Sequence, residues 1–313
     1  MNALGFHIPR RFDKILDINT CYLMDDLNNK IRNFVRDFCL ANQYTFSGIK
    51  HHSGLMRTLI IRTTTLGECM VIVVFRDDDT EKRIGLLEAL KTNFSQITSL
   101  IYVINNKKND VISDLPFECY SGLPYITEQL EDLKFRIGPH SFFQTNSFQT
   151  LKLYQVVRSF AALTGNENVY DLYTGTGTIA QFVAKQARHV TGIEYVASAI
   201  EDAKANAAFN NIENTSFFAG DMRNMLTQEF FAKNGKPDVI ITDPPRAGMH
   251  PDVTAMLTNS GAQRIVYVSC NVATQARDIE LMNLKYEVKQ NQPVDMFPHT
   301  AHVENVTLLE IKK

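Results

Sequence analysis

Apolar and polar positions follow two rhythms along this chain. Over residues 25–42, Leu27, Ile31, Phe34, Val35 and Phe38 recur at helical spacing, with Lys30, Arg32 and Arg36 elsewhere on the turn. That pattern predicts an amphipathic helix. Residues 57–65 and 69–75 are apolar and rich in β-branched side chains, and they flank Leu66-Gly67-Glu68. They predict two strands around a turn. Residues 81–94 predict a helix, 99–104 a strand and 105–110 a polar turn, with further short strands to about Ile137. This half reads as an α+β module that supports structure or holds a substrate. It contains no catalytic constellation.

The second half alternates strand and helix. A helix over 149–163 leads to strands at 169–172, 190–194, 215–219, 238–242 and 264–269, with helices at 179–187 and 197–210. Residues 286–290 and 305–311 look like a closing pair. Such alternation implies a parallel sheet covered on both faces, an α/β architecture. A length of 313 residues suits two domains. The boundary is expected at 140, with a smaller α+β domain over 1–140 and the α/β domain over 141–313.

Composition narrows the partners only slightly. The formal net charge is −2, so there is no overall electrostatic signature of nucleic-acid binding. Any RNA contact must come from local patches, for which Arg10, Arg11, Lys14, His51, His52 and Arg57 are candidates, solvated surface being the competing explanation. The five cysteines (Cys21, Cys39, Cys69, Cys119 and Cys270) are odd in number and scattered, with no CxxC pair. That argues against a disulfide framework or closed zinc site and for a reducing cytoplasm. No apolar run is long enough to span a membrane, and the N-terminus lacks a signal-peptide pattern.

The first chemical signal lies between the 169–172 strand and the following helix, in Asp171-Leu172-Tyr173-Thr174-Gly175-Thr176-Gly177-Thr178-Ile179-Ala180. Gly175, Gly177 and Ala180 fit the dinucleotide fingerprint, and Glu194 stands where a ribose-binding acid is expected. The fingerprint alone is weak. Asp171 favours S-adenosylmethionine over a nicotinamide cofactor, because an acid before the loop suits a cationic amino-acid end better than a pyrophosphate. Asp221 follows the third strand, where it can accept from an adenine amino group. Asp171, Glu194 and Asp221 thus fall at the ends of successive strands, although each alone could be a surface turn residue.

The second signal concerns the reaction. Asp243-Pro244-Pro245-Arg246-Ala247-Gly248 follows the fourth strand, and its prolines stiffen the turn that carries Asp243. Cys270 ends the fifth strand; a lone Cys is commonly an inert small hydrophobe, but here it falls beside Asp243. Glu304 stands just before the last strand, in Phe297-Pro298-His299-Thr300-Ala301-His302-Val303-Glu304. The His299/His302 pair has no further ligand pattern, so no metal is expected. A thiol nucleophile, a sulfonium cofactor and a carboxylate that removes a proton describe methylation of a pyrimidine ring by conjugate addition.

These segments, with Ser141-Phe142-Phe143-Gln144-Thr145-Asn146, occur in the order found in S-adenosylmethionine-dependent RNA uracil-5-methyltransferases. The chain resembles that family, most closely its 23S ribosomal RNA type, over most of its length. The resemblance implies a Rossmann-like class I methyltransferase domain. It implies that Gln144, Glu194 and Asp243 contact the cofactor or position the reactants, and that Tyr173, Gly175 and Asp221 line the cofactor pocket. It further implies that Phe142 packs on the target base, Cys270 is the nucleophile and Glu304 the base. The expected partner is RNA, 23S ribosomal or transfer RNA. Relatives usually begin with a small β-barrel and an iron–sulfur cysteine cluster. Here the match starts at Leu4-Gly5-Phe6-His7, and Cys21 falls at the last cluster position without its three partners. A shortened chain without an intact cluster is therefore expected.

Two other readings compete. The Asp-Pro-Pro turn also suits a methyltransferase acting on amino groups of nucleic-acid bases, which would not need Cys270 or Glu304. The shortened N-terminus suits an RNA-binding fragment without activity.

Overall fold

The computed structural model describes residues 3–48 and 51–313. Contacts divide the chain into two units, one of residues up to Glu128 with Arg136–His140, the other of Gln129–Phe135 with Ser141–Lys313.

The first unit opens with a two-stranded antiparallel sheet, β1 (Gly5–Ile8) and β2 (Arg11–Asp17). Helix α1 (Asp26–Ala41) follows, capped by the Asp25 carboxylate, which accepts from the Asn28 N–H at 2.8 Å. Next come β3 (Met56–Thr63), β4 (Cys69–Phe75), α2 (Thr80–Asn93), β5 (Ile97–Ile104) and β6 (Glu118–Gly122). Strands β3-β4-β5-β6 form a four-stranded sheet, parallel only between β4 and β5. Every residue of β4 is buried, as a central strand covered on both sides requires. Ile31, Val35, Leu86, Leu87 and Leu90 from the two helices pack with Val71, Val73 and Phe75 of β4. A second two-stranded sheet pairs β7 (Ile126–Leu130) with β8 (Leu133–Ile137).

The second unit carries α3 (Ser147–Ala161), β9 (Asn168–Leu172), α4 (Thr178–Ala184), β10 (His189–Glu194), α5 (Ala197–Phe209) and β11 (Thr215–Ala219). It continues with α6 (Met222–Met225), α7 (Gln228–Asn234), β12 (Val239–Thr242), α8 (Pro251–Asn259), β13 (Arg264–Ser269), α9 (Val272–Met282), β14 (Tyr286–Val294) and β15 (Glu304–Ile311). The seven strands lie in the order β11-β10-β9-β12-β13-β15-β14. Strands β9 to β13 run parallel, and β14 and β15 close the sheet antiparallel. The fold is therefore α/β and Rossmann-like, with a mixed sheet.

Alternate side chains of the central strands feed two cores. Val169, Ile241, Val266 and Val268 meet Leu153, Val157, Phe182 and Ile200 on one face. Tyr170, Leu172, Ile240, Ile265 and Tyr267 meet Met222, Phe231, Val253, Leu257 and Met282 on the other. The period-two pleat thus buries both faces. Strand order reverses between β9 and β12, and in such sheets a crevice opens at that point beyond the carboxyl ends.

Candidate active site

The loop from β9 to α4 is folded back on its own strand by Asp171. The Asp171 Oδ2 accepts from the Thr174 hydroxyl at 2.5 Å and from the Ala180 N–H at 3.0 Å. Its Oδ1 is buried without a hydrogen-bond partner. Burial pushes the carboxyl up to about 7, with Glu194 adding to the rise against the two hydrogen bonds. Tyr173, Gly175 and Gly177 all take positive φ, at 61°, 54° and 74°. The two glycines serve different ends. A Cβ on Gly177 would come within 2.9 Å of Ala203 and Phe217, so this glycine permits close packing. A Cβ on Gly175 would meet nothing within 4 Å, so this one borders open space that a ligand can enter.

Glu194 closes the far side of that loop. Its Oε2 accepts from the Gly175 N–H at 3.2 Å and its Oε1 from the Val196 N–H at 3.0 Å. Asp221 lies one strand further out, just past β11. Its carboxylate caps α6, accepting from the Arg223 N–H at 2.9 Å, and is held by the Arg223 guanidinium at 2.5 Å. Those bonds hold its pKa well below the usual carboxylate range. An adenine at Asp221 would have to share that carboxylate with Arg223.

The candidate reacting residues gather on the other side of the switch point. Thr242 of β12 pairs with Leu172 of β9, which brings Asp243 level with Tyr173. The Asp243 N–H donates to the Leu172 carbonyl at 3.3 Å. In the next antiparallel pair, Ser269 of β13 faces Asn305 of β15, so Cys270 and Glu304 are neighbours at the same edge. Cys270 is exposed, while Glu304 and Asp243 are half-buried. Burial is the largest influence on all three. Desolvation raises Asp243 well above the carboxylate range, and Glu304 and then Asp171 raise it further. Desolvation also raises Glu304, and Arg246 opposes the rise. Cys270 is raised by desolvation and by the Glu304 and Asp243 charges, again opposed by Arg246. The buried Tyr154 of α3, hydrogen-bonded to the Thr178 hydroxyl at 2.8 Å, feels Asp243, Asp171 and Glu304 together.

The segment before α3 is pinned at both ends. The Phe142 carbonyl accepts from the Thr176 hydroxyl at 3.5 Å, which ties it to the glycine loop. Asn146 donates to the Met296 carbonyl at 2.9 Å and caps α3 through the Gln149 N–H at 3.2 Å. Half-buried Gln144 lies between these anchors, and the Phe142 ring is 70% exposed, free to meet a flat partner. His299 and His302 are both exposed, and among the described residues no group of three or more His, Cys, Asp or Glu is placed to hold a metal.

The structure thus brings Cys270, Glu304 and Asp243 together, and gathers Asp171, Tyr173, Gly175 and Glu194 around one loop, with Gln144 and Phe142 on the segment tied to it. Sequence reading gave Arg246 no role, although it stands inside the quoted turn. Its influence on both Cys270 and Glu304 depends on a pairing of β13 with β15 that no local pattern reveals. Arg57, a candidate RNA contact, is spent inside its own unit, donating to the carbonyls of Asn105 and Lys107 at 2.7 Å and of Asn109 at 3.0 Å.

The chain is similar to known proteins. The family model for tRNA (uracil-5-)-methyltransferases matches residues 63–312. An uncharacterized RNA methyltransferase of Bacteroides thetaiotaomicron is 57% identical over 315 residues, covering all of this chain and 69% of its own. Another from Porphyromonas gingivalis is 56% identical over 311 residues, covering 98% of this chain and 67% of its own. The crystal structure of Pyrococcus abyssi tRNA (uracil-54, C5)-methyltransferase in complex with S-adenosyl-L-homocysteine superposes with a TM-score of 0.80 at 31% identity, covering 96% of this chain and 71% of that one. The chain belongs to the tRNA (uracil-5-)-methyltransferase family and is an RNA methyltransferase.

Proposed function

We propose that this protein transfers a methyl group from S-adenosylmethionine to carbon 5 of a uridine in RNA through a covalent adduct on Cys270. The observation that carries this reading is the β13–β15 register, which sets Cys270 beside Glu304 at the sheet edge next to Asp243. The site fits the cofactor. Asp171 offers an unpartnered buried oxygen near a cationic amino-acid end, Gly175 leaves room for approach, and Glu194 suits ribose hydroxyls. Tyr173, Asp221 and Gln144 complete the lining. Bound there, S-adenosylmethionine supplies an electrophilic methyl group.

The chain's own residues do the rest. The Cys270 thiolate adds to carbon 6, and the displaced π electrons make carbon 5 nucleophilic. Asp243 and Gln144 orient the reactants, and Phe142 stacks on the base, which must be single-stranded or flipped out. After carbon 5 has been methylated, the Glu304 carboxylate takes its proton. The electron pair left behind re-forms the ring double bond and expels the thiolate. Residues 141–313 carry this chemistry, and residues 1–140 hold the RNA in a cytoplasmic setting that keeps the five cysteines reduced.

The family and its Pyrococcus neighbour point to transfer RNA, the motif resemblance to 23S ribosomal RNA; mapping 5-methyluridine in both RNAs from cells lacking the gene identifies the target. The chemistry is tested with labelled S-adenosylmethionine and total RNA from such cells. Label should enter 5-methyluridine, and Cys270→Ala should abolish it. Label in a methylated adenine or guanine overturns the proposal.

A further inference from the structure

Cys270 is followed at once by Asn271, the cap of α9, and the Asn271 amide is used at both ends. Its Oδ1 accepts from the Ala273 N–H at 3.1 Å, and its Nδ2 donates to the Arg246 carbonyl at 3.1 Å. The Thr274 hydroxyl is shared between the Asn271 carbonyl at 3.0 Å and the same Arg246 carbonyl at 3.2 Å. One turn on, Arg277 donates to the Ala247 and Met249 carbonyls at 3.0 and 3.3 Å. The fully buried Asp278 accepts from the Met249 N–H and from the Tyr267 hydroxyl of β13, both at 2.7 Å. One face of α9 therefore grips the backbone of 246–249 and fastens it to the strand that carries Cys270. Apart from the Asn271–Ala273 cap itself, α9 needs none of these contacts for its own formation. Their effect falls on the loop, which carries Asp243 and Arg246.

We propose that Asn271 and Thr274 are positioning residues: by holding the Arg246 carbonyl, they fix the loop that carries Asp243 and Arg246 against the turn that carries Cys270 and so set the reactivity of the thiol. This rests on Cys270 being the nucleophile. Among the described residues, the charges that act on Cys270 are those of Glu304 from β15 and of Asp243 and Arg246 from the loop after β12; Arg246 opposes the two acids, as does a backbone hydrogen bond of Cys270. The pull of Arg246 weakens steeply with distance and with exposure to water, so a loosened loop loses it first. Asn271 and Thr274 act on the thiol only through Arg246.

The test uses the whole chain without RNA or cofactor. Iodoacetamide alkylation of Cys270 is followed against pH by peptide-resolved mass spectrometry, with exposed Cys119 as the internal control. Asn271→Ser/Thr274→Val keeps an effective helix cap and removes both grips on the Arg246 carbonyl. Alkylation of Cys270 at pH 7.5 should fall about 3- to 10-fold, with an unchanged plateau at high pH, as a rise of about half to one pH unit in the midpoint requires. Cys119 should not change, and Thr274→Ser should behave like the parent. In an Arg246→Gln background the double substitution should have no further effect. If the double variant does not fold, Thr274→Val alone should shift the profile the same way by less. An unchanged Cys270 profile in a folded variant overturns the proposal, as does a shift that persists in Arg246→Gln. Failure of the nucleophile assignment shows separately, as loss of covalent RNA capture by the parent protein.

Discussion

At the scale of single residues, the account rests on two groups that are weak where they stand. The Cys270 thiol and the Glu304 carboxyl are both raised by desolvation and both relieved by Arg246, so neither ionises as readily as its free counterpart. For Glu304 the consequence has a definite sign. Proton removal needs the carboxylate, and a raised pKa means that turnover fails on the acid side at a higher pH than an ordinary Glu would give. Removing the base should stop the reaction after methylation. Glu304→Gln should cut turnover about 10²- to 10⁴-fold while leaving the thiol able to add, so that methylated adduct accumulates on natural uridine RNA. A gel-stable protein–RNA species in that variant, absent from the parent, checks this. The roles proposed for Cys270 and Glu304 come from motifs. Their adjacency was not legible in the sequence, because it arises from a strand pair in which Ser269 meets Asn305, 36 residues further along the chain.

At the scale of elements, the central strands were readable because each is an apolar run buried on both faces. Predicted strands at 215–219 and 264–269 coincide with β11 and β13. What escaped has physical causes. In β1 the two middle residues are exposed, which leaves no apolar run to read. Helices α6 and α7 have 4 and 7 residues, too short for periodicity to show. Helix α9 buries Gln275 and Asp278 beside Met282, so its inner face is polar and a search for apolar spacing passes over it. That polar face holds the 246–249 loop. The β9–α4 loop carries a similar compromise in Asp171, buried and raised to about 7. A carboxyl whose folded pKa lies above its unfolded value stabilises the fold most at low pH, and that contribution is lost as pH rises through the folded value. Asp171→Asn mimics the neutral form. Its Tm relative to the parent should therefore improve between pH 5.5 and pH 8.5, while S-adenosylmethionine binding weakens about tenfold or more, a trade of function for stability. Thermal melts at the two pH values and calorimetric titration of the cofactor measure both effects.

At the scale of the whole molecule, composition said least and motif order said most. A net charge of −2 gives no hint of an RNA substrate, and Arg57, one of the candidate RNA contacts, is committed to holding a loop of its own unit. The matching segments were recognisable because the proposed reaction, which needs a nucleophile, a base and a sulfonium cofactor, fixes residue types at several strand ends at once. The fold then explains their wide separation in sequence: the sheet order sets β9, β12, β13 and β15 side by side, with the glycine loop and Cys270 two strands apart. The most direct test of this account uses RNA carrying 5-fluorouridine at the target position, incubated with the protein and S-adenosylmethionine. Fluorine leaves no proton at carbon 5 for Glu304 to remove, so a methylated, denaturation-resistant protein–RNA adduct should accumulate with the parent protein and be absent with Cys270→Ala. A parent protein that methylates natural RNA yet captures none of the fluorinated RNA, or an adduct that survives in Cys270→Ala, would contradict it.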